Sequence, residues 1–496
     1  MNKTIAVLLI TLFTLYTTQG YTTTAQVRNT VSQSEEAMNV KYQDAQLITF
    51  SDKTVKCTGT GEGIDINKTS VKITESGTYI FSGECTDGSI TVKKGIKNVV
   101  LVLNGLKLTS ASDRAAISCN ASSEVTLIVE DGTNNELADT EENLSKEATD
   151  TEDATDADDA VIKVKKEAKL NISGKGNLDI SGVAKNGIKC GENASVIISD
   201  ARIDIESANN AIASSDKIVV NSGTININAQ GDGLKAANDI SITGGTFNIN
   251  SKDDALHSDS TMTVEGGTFI IRTGDDAMHA DEKLVVGIET SKTGPVIDIK
   301  TCYEGLEAGK VYIYGGDIDI ASSDDGINAA GKDLADTDYT IDIYGGDIFI
   351  NAEGDGLDSN KDINIYGGTL VSFGQKAGGD NEPVDADGTV MIYGGTVFGA
   401  GSGGMITTPA SGSQGYISSA ADRSEGNMQG RPGGRGGFGM DNTSEIYGSG
   451  KVFTILDENS EVVYKTLLPK NVNYYIYSSA DIDTSKTYTI DVTDVE

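Results

Sequence analysis

The chain has 496 residues and is strongly acidic, with 74 aspartate and glutamate side chains against 39 lysine and arginine side chains and a net charge of −35. A surface of this charge repels nucleic acid and anionic lipid, which excludes both as natural partners and favours cations, neutral polymers, or polyanions bridged by cations. The length is sufficient for one large domain or for two to three ordinary ones.

Residues 1–25 have the pattern of a secretory signal peptide. Lys3 precedes an apolar run from Ile5 to Tyr16, which is too short to cross a bilayer and is followed by a cleavage region between Gly20 and Ala25. No cysteine suited to lipid attachment follows, and no later stretch is apolar enough for membrane insertion. We therefore expect a secreted, extracellular protein that is either soluble or retained at the cell surface.

Five cysteines, an odd number without any Cys-x-x-Cys pair, argue against a zinc site or a redox motif. They are Cys57, Cys85, Cys119, Cys190 and Cys302. Cys57 and Cys85 could form a disulfide, or both could be free. Cys119 and Cys190 each follow an inward-facing isoleucine by two residues, which predicts small core side chains.

Residues 26–130 are rich in strand patterns such as SGTYIFSGECTDGSITV, and they are expected to form an N-terminal cap and the first coils of the fold. Residues 131–160 then carry an acidic, low-complexity sequence without aromatic residues, which predicts a disordered loop.

A repeat dominates residues 161–400. Two short strands joined by a Gly-Gly turn, as in DISITGGTFNIN, follow each copy of a recurring apolar residue. The copies, 22 residues apart from Ile212 to Met278, are Ile188, Ile212, Leu234, Leu256, Met278, Leu306, Ile327, Leu357 and Val384. Three strands per period indicate an all-β fold, a right-handed parallel β-helix (solenoid) of about eleven coils. A calcium-binding nonapeptide roll is excluded because nothing repeats every nine residues.

Residues 401–444 are glycine-rich and are expected to form an insertion, whereas residues 445–496 return to strand patterns. An exposed end of a β-helix would add strands from other molecules, so a C-terminal β cap is required there. We expect the protein to be a monomer.

Acidic residues recur at fixed positions around the repeated apolar residue. Neighbouring coils lie about 4.8 Å apart, so these acids form columns in which adjacent carboxylates repel by roughly 3–4 kcal/mol at an effective dielectric of 20. Shared Ca²⁺ ions, which bind six to eight oxygens, would relieve this repulsion; the alternative is a solvated face that keeps the solenoid soluble. The candidate calcium ligands are Asp232, Asp253, Asp254, Asp259, Asp275, Asp276, Asp281, Asp324, Asp325, Asp355 and Asp358.

The two histidines of the chain, His257 and His279, lie in the motifs DDALHSD and DDAMHAD. Imidazole is a poor calcium ligand, so these side chains are expected to hydrogen-bond the neighbouring aspartates and support them. Surface positions without a role are the alternative.

A second column is predicted by Tyr314, Tyr344, Tyr366 and Tyr393, each of which precedes a Gly-Gly turn. This column could stack against sugar rings, with His257 and His279 as further candidate carbohydrate contacts. It could instead be a packing ladder that rigidifies the edge of the sheet.

Several motifs together resemble a known family. They are SGTYIFSGECTDGSITV, VLVLNGLKLTSASDRAAI, DDALHSD, DDAMHAD and YIYSSADIDTSKTYTI. Over residues 45–496 the chain resembles the secreted carbohydrate-binding β-helix family of anaerobic cellulose-degrading bacteria. The resemblance implies calcium binding, affinity for cellulose and acidic plant polysaccharides such as pectate, and a fold similar to that of calcium-dependent pectate lyases. At residues 302–306 the chain departs from the family's Asp-Asp pattern, because Tyr303 and Glu304 stand there.

Three functions are compatible with these patterns. A secreted, non-catalytic protein that binds polysaccharide with calcium is favoured, because repeated equal sites suit multivalent binding. A calcium-dependent pectate lyase is the alternative and would need a base, for which Lys235, directly after a GDGL element, is the candidate. The third is a surface scaffold or adhesin with structural calcium.

Overall fold

The computed structural model describes residues 41–144, 158–331, 338–379, 381–403, 407–419 and 446–495. The predicted signal peptide, residues 1–25, lies outside these ranges. Within them, short strands wind into a parallel β-solenoid of about 12 turns, which confirms the predicted fold class and is close to the eleven coils expected. Among the described residues, no helix has the length and apolar character needed to cross a membrane.

The strands are numbered in chain order. The N-terminal strands are β1 (Gln46–Ser51), β2 (Thr54–Thr58), β3 (Ile64–Asn67), β4 (Ser70–Ile73), β5 (Gly77–Cys85), β6 (Ser89–Val92), β7 (Val99–Ser110), β8 (Ile117–Cys119), β9 (Glu124–Val129) and β10 (Asn134–Asp139). The central strands up to the middle of the repeat are β11 (Ala160–Val164), β12 (Lys169–Gly174), β13 (Asn177–Gly182), β14 (Asn186–Cys190), β15 (Ser195–Ile198), β16 (Arg202–Ser207), β17 (Ile212–Ser214), β18 (Lys217–Val220), β19 (Thr224–Ala229), β20 (Leu234–Ala236), β21 (Asp239–Ile242), β22 (Thr246–Asn250), β23 (Leu256–Ser258), β24 (Thr261–Val264) and β25 (Thr268–Arg272).

The remaining strands of the repeat are β26 (Met278–Val286), β27 (Val296–Thr301), β28 (Leu306–Ile313), β29 (Asp317–Ser322), β30 (Ile327–Ala329), β31 (Thr340–Ile343), β32 (Asp347–Ala352), β33 (Leu357–Ser359), β34 (Asp362–Ile365), β35 (Thr369–Phe373), β36 (Asp385–Ala386), β37 (Val390–Ile392) and β38 (Thr396–Gly401). The last strands are β39 (Tyr416–Ser418), β40 (Lys451–Leu456), β41 (Val462–Leu467), β42 (Tyr474–Ser478) and β43 (Thr489–Asp494).

Each central coil contributes one strand to each of three parallel ladders. Ladder A holds the recurring apolar residue and runs through β8, β11, β14, β17, β20, β23, β26, β28, β30, β33 and β36. Ladder B runs through β9, β12, β15, β18, β21 and β24 into the second halves of β26 and β28, and on to β31, β34 and β37. Ladder C runs through β10, β13, β16, β19, β22, β25, β27, β29, β32, β35 and β38.

Side chains alternate between the interior and the outside along the central strands. In β19, Ile225 and Ile227 are buried, whereas Asn226 between them faces outward. Equal positions pair in register from coil to coil, so isoleucine, valine and leucine form continuous buried columns. This contact between successive coils is the main stabilising contribution in a solenoid.

The turns between ladders B and C require glycine because of their backbone conformation and their close contact with the preceding coil. Gly223 has a φ of +119°, and a Cβ added there would lie 2.4 Å from the carbonyl oxygen of Ala201 on the preceding coil. Both the conformation and the close approach exclude larger residues. The recurring glycines are therefore imposed by the stacking of coils.

The predicted disordered loop at residues 131–160 is wrong for the described part of that segment. Residues 134–139 form β10, which buries Leu137 and pairs with β7 and β13, and a 3-10 turn follows at Glu141–Asn143. Buried Asn143 donates to Asp139 and to the carbonyl oxygen of Ala160, 2.9 Å each, and so joins the two ends of the segment. The alternating pattern of NNELAD was obscured by its acidic surroundings. Residues 145–157 lie outside the described residues.

A disulfide between Cys57 and Cys85 is not formed, since all five cysteines are free. Cys57 lies on β2 opposite Ile48, whereas Cys85 is buried at the end of β5. Cys119 and Cys190 are buried in the core, as their position in the repeat predicted.

The C-terminal end of the solenoid is covered by antiparallel structure. Strand β42 pairs antiparallel with both β38 and β39, and the latter lies within the predicted insertion at residues 401–444. Strands β41, β40 and β43 form a separate three-stranded sheet over a second core that contains Phe373, Phe398 and Phe453. Residues 404–406 and 420–444 of the insertion lie outside the described ranges.

Substitution of one core ring tests the stacking of coils. The Phe247 and Phe269 rings are fully buried and stack with centroids 4.5 Å apart. We expect Phe269→Ala to destabilise the protein by about 3–5 kcal/mol, since it leaves a cavity between coils. The neighbouring Ile270→Ala, at an exposed position, should change stability by no more than about 0.5 kcal/mol. Urea unfolding followed by circular dichroism measures both, and equal effects would contradict the assigned register.

Candidate functional site

A column of acidic side chains stands at the entrance to ladder A, two residues before the recurring apolar residue. This acid column consists of Asp232, Asp254, Asp276, Glu304, Asp325, Asp355 and Glu382. Its members are largely buried: Asp232 is 2% exposed, Asp254 5% and Glu382 0%. These carboxyl groups therefore do not form a solvated face, and each needs a partner within the protein.

Backbone N–H groups of successive coils supply many of these partners. The Asp276 N–H donates to Asp254 Oδ1 at 2.9 Å, and the Glu304 N–H donates to Asp276 Oδ1 at 3.1 Å. The Asp355 N–H donates to Asp325 Oδ1 at 2.6 Å, and the Glu382 N–H donates to Asp355 Oδ1. At these four steps the acid column ties one coil to the next through a side-chain acceptor.

The same position does not require a charge. In the coil before Asp232 it is occupied by Asn210, whose Oδ1 accepts the Asp232 N–H at 3.0 Å. One coil earlier it is Asn186, which is also buried. An amide oxygen and a carboxylate oxygen serve equally as acceptors, so the acidic character of the later coils needs a further explanation.

A second column, the outer column, lies three residues after the acid column on the outward side of ladder A. Its residues stack in register in the order Lys163, Lys189, Ala213, Lys235, His257, His279, Glu307, Asn328, Asp358 and Asp385. The charge of this column changes from positive through histidine to negative along the solenoid. Acidic coils are therefore balanced by a cation or an imidazole in the middle, and by neither towards the C-terminus.

The two histidines connect the columns. Their rings stack with centroids 4.7 Å apart. His257 Nδ1 lies 2.5 Å from Asp254 and Nε2 lies 3.0 Å from Asp259. His279 Nδ1 lies 3.1 Å from Asp276 and Nε2 lies 3.0 Å from Asp281. Each imidazole thus contacts a carboxylate of the acid column, and its support of a calcium ligand there stays a prediction.

The histidine rings have raised pKa values. Burial acts to lower the pKa of His279, but its hydrogen bonds to Asp276 and Glu307 outweigh burial and raise the pKa to about 11. Burial also acts to lower the pKa of His257, but its hydrogen bond to Asp254 outweighs burial, and the pKa is raised. His279 is therefore a local positive charge at neutral pH, held by the carboxylates of Asp276, Asp281 and Glu307.

One group of candidate ligands contains carboxylates alone. Asp253, Asp254 and Asp275 place one oxygen each within 4.8 Å of one another, across two adjacent coils. Asp259 and Asp281 lie instead at the far side of the histidine rings. The candidate ligands of these two coils are thus divided, with Asp276 grouped with His279 and Glu307.

The other candidate ligands are arranged differently. Asp232 is grouped with Asp254 and His257, whereas no such group among the described residues includes Asp324, Asp325, Asp355 or Asp358. Burial, with neighbouring carboxylates adding to it, raises the pKa of Asp325 to about 6 and the pKa values of Asp355 and Asp358 to about 7. Burial also raises the pKa values of Glu304 and Glu382 to about 8.

Buried oxygen atoms without a hydrogen-bond partner occur in both columns. They are Asp232 Oδ1, Asn328 Oδ1 and Glu382 Oε1. Each would be expected to have a donor or a cation beside it, because an unpaired buried oxygen costs about 1–3 kcal/mol. These positions are consistent with cation binding along the columns.

Lys235 does not stand free as a base. Its Nζ atom lies 3.3 Å from Asp232 Oδ2, and it occupies the outer column one coil before His257. The ion pair supplies a partner for one oxygen of a buried carboxylate, which is a sufficient structural role for this lysine.

The four predicted tyrosines form a continuous stack. Centroid distances are 4.9 Å from Tyr314 to Tyr344, 4.6 Å from Tyr344 to Tyr366 and 4.9 Å from Tyr366 to Tyr393. The faces of the middle rings are covered by their neighbours, and Lys292 Nζ lies 4.8 Å from the Tyr314 centroid. The stack therefore presents ring edges along its length, and this arrangement fits a packing ladder.

Two site residues were missed as candidate ligands. Glu307 lies 2.5 Å from His279 Nδ1, and Asn328 donates to Glu304 at 2.9 Å. Both occupy the residue after the repeated apolar position. Reading that single position through all the coils would have identified them, as well as the change of charge along the outer column.

The raised carboxyl pKa values predict how stability depends on pH. The folded chain binds more protons than the unfolded chain between pH ~4, where exposed carboxyls titrate, and pH ~8, where Glu304 and Glu382 titrate. Stability without divalent cations should therefore fall as pH rises through this window. Melting temperatures in chelator from pH 4 to 8.5 measure it.

A matched pair of variants localises the pH effect. Asp355→Asn with Asp358→Asn should weaken the dependence of melting temperature on pH, since asparagine keeps a hydrogen-bond acceptor and removes the charge. The exposed Asp317→Asn should leave it unchanged. A wild-type melting temperature that rises or stays level across the window would contradict the burial of charge in these columns.

Comparison with known proteins places this site in a family context. A family model described as carbohydrate-binding domain-containing protein matches residues 67–335 and 297–420. A carbohydrate-binding domain-containing protein of Acetivibrio thermocellus is 34% identical over 128 residues, which are 26% of this chain and 42% of that protein. The chain therefore spans less than half the length of this relative.

A solved structure is also similar to this chain, and it is described as a polysaccharide lyase-like protein from C. thermocellum in a gadolinium derivative. The two sequences are 28% identical and the TM-score is 0.43. The match covers 50% of this chain and 98% of that one. The match of the family model covers more than half of the chain and includes both columns. The chain belongs to the family of carbohydrate-binding domain-containing proteins.

Proposed function

We propose that the protein is an exported, non-catalytic protein that binds plant cell-wall polysaccharide with calcium, its ligands being cellulose or acidic, pectate-like glycans. The observation that carries the proposal is the carboxylate cluster of Asp253, Asp254 and Asp275 in a chain of a carbohydrate-binding family. Export rests on the signal-peptide pattern of residues 1–25.

The donor set of this cluster suits calcium. All three side chains offer carboxylate oxygens, the ligands that Ca²⁺ prefers. Asp254 is held in place by the Asp276 N–H and by His257, so the cluster has a fixed buried member. Asp253 is exposed and brings the cluster within reach of solvent. Calcium held there would relieve carboxylate repulsion and offer coordination positions to a sugar hydroxyl or a uronate carboxylate.

The charge pattern explains why a cation would be needed for an acidic ligand. At net charge −35, the chain repels a polyuronate over the range of the Debye length, about 8 Å at physiological salt. His257 and His279 can balance only part of the acid around them, because His257 lies between two carboxylates and His279 contacts three. A shared divalent cation would supply the missing attraction.

Calcium binding is tested by calorimetry and by thermal melting. We expect calcium at 100 times its Kd to stabilise the wild type by about 2.7 kcal/mol and to be required for retention on polygalacturonate beads. Asp253→Asn with Asp275→Asn should lose both effects. Glu265→Gln with Glu289→Gln, which removes two charges at exposed positions, should keep both.

Two results would contradict the proposal. One is a wild-type melt that chelator leaves unchanged. The other is full calcium-dependent retention of the Asp253→Asn, Asp275→Asn variant. Calcium stabilisation without retention on any polysaccharide would point to a scaffold with structural calcium.

A calcium-dependent lyase is the second candidate, because Lys235 lies next to the group formed by Asp232, Asp254 and His257. A lyase would release unsaturated uronate, which absorbs ultraviolet light. We expect no such product from pectate with calcium, because the Lys235 ammonium is engaged with Asp232. The control variant is Lys217→Ala, at an exposed ion pair. The lyase would be established, and the non-catalytic proposal overturned, by calcium-dependent release of unsaturated uronate that Lys235→Ala abolishes and Lys217→Ala preserves.

A further inference from the structure

A groove lies on the outer face of ladder C, away from the acid and outer columns. It has a volume of about 590 Å³ and is lined by strands β10, β13, β16, β19 and β22. Sites for small ligands commonly have volumes of about 300–1,000 Å³. None of the residues that line it belongs to the acid column or the outer column.

Two rows of polar side chains run along the floor of the groove. The first row stacks in register as Glu136, Asp179, Asp204, Asn226 and Asn248. The second row stacks as Ser181, Glu206, Asn228 and Asn250. Strands of a ladder are about 4.8 Å apart, so five coils offer hydrogen-bonding groups at regular intervals over ~19 Å.

Hydrogen bonds between coils hold these side chains in order. Asn226 Nδ2 donates to Asp204 Oδ1, and Asn250 Nδ2 donates to Asn228 Oδ1 at 3.0 Å. Each amide has two N–H donors and an oxygen with two lone pairs, so one bond along the row leaves further capacity towards the groove. The rows are thus ordered arrays of both donors and acceptors.

The chemistry of the rows favours an uncharged, hydroxyl-rich chain. A hydroxyl group both donates and accepts, which matches rows that offer carboxylate acceptors in the first coils and amide donors and acceptors in the last two coils. The carboxylates of Glu136, Asp179 and Asp204 would repel a polyuronate. The Lys107 and Arg202 side chains beside the groove are already paired with Glu136 and Asp204. A periodic ligand would meet a polar group at each coil.

We propose that this groove is a calcium-independent binding site for a stretch of neutral polysaccharide lying along the solenoid axis. The inference rests on the proposed carbohydrate-binding function and assigns its neutral ligand to ladder C. The groove ends where Asn248 pairs with Ile270, an exposed apolar residue. Beyond it, Asp298 and Asp319 occupy the first row outside the groove.

The test is calorimetry with cellohexaose and with hexagalacturonate, both in chelator, on the full chain. We expect the wild type to bind cellohexaose and not hexagalacturonate. Asn226→Ala with Asn248→Ala should weaken cellohexaose binding at least tenfold, and so should Asn228→Ala with Asn250→Ala in the second row. Asp298→Ala with Asp319→Ala, in the same row outside the groove, should bind as the wild type does.

The outcomes separate this inference from the proposed function. Loss of cellohexaose binding in both groove variants, with melting temperature and calcium-dependent retention on polygalacturonate intact, supports the groove. Unchanged binding in both groove variants, no cellohexaose binding in chelator, or preference for hexagalacturonate would overturn it. None of these results would decide whether the calcium site exists, because that question is tested separately by the Asp253→Asn, Asp275→Asn variant.

Discussion

Parallel register between successive coils is the constraint on which the whole structure depends. Because each strand pairs with the strand one coil away at the same position, any property that the sequence repeats becomes a column at intervals of about 4.8 Å. Repeated isoleucine and leucine give a buried core, and repeated tyrosine gives a stack. Repeated acid gives a line of carboxylates too close together to remain charged without compensation.

Compensation for the acid column changes along the solenoid. In the coil before Asp232, neutral Asn210 occupies the position of the acid column, and in the next coil Lys235 pairs with Asp232. His257 and His279 follow in the outer column, after which Glu307 replaces the cation. The transition from internal neutralisation to unbalanced acid takes place around residues 253–307. An added cation would lower the electrostatic free energy of the fold both at the cluster of Asp253, Asp254 and Asp275 and in the coils that follow Glu307.

Much of this arrangement could be predicted from the sequence. The 22-residue period, the glycine pairs and the alternation of apolar residues determine the solenoid, because each follows from local geometry. The columns of acid and tyrosine follow from the period as well. Burial of Asp232 and Asp254 did not follow, since a carboxylate after a turn is usually solvated and only the backbone N–H of the next coil explains its inward position. Nor did the separation of Asp259 from Asp253, because it depends on the ring of His257, which contacts Asp254 through Nδ1 and Asp259 through Nε2.

The proposed calcium site can be observed by X-ray diffraction from crystals grown in calcium, with data collected where calcium scatters anomalously. We expect an anomalous peak bounded by Asp253, Asp254 and Asp275, with six to eight oxygens at about 2.3–2.6 Å and no imidazole nitrogen among them. A well-ordered map with water or an empty gap between these three carboxylates, at saturating calcium, would contradict it.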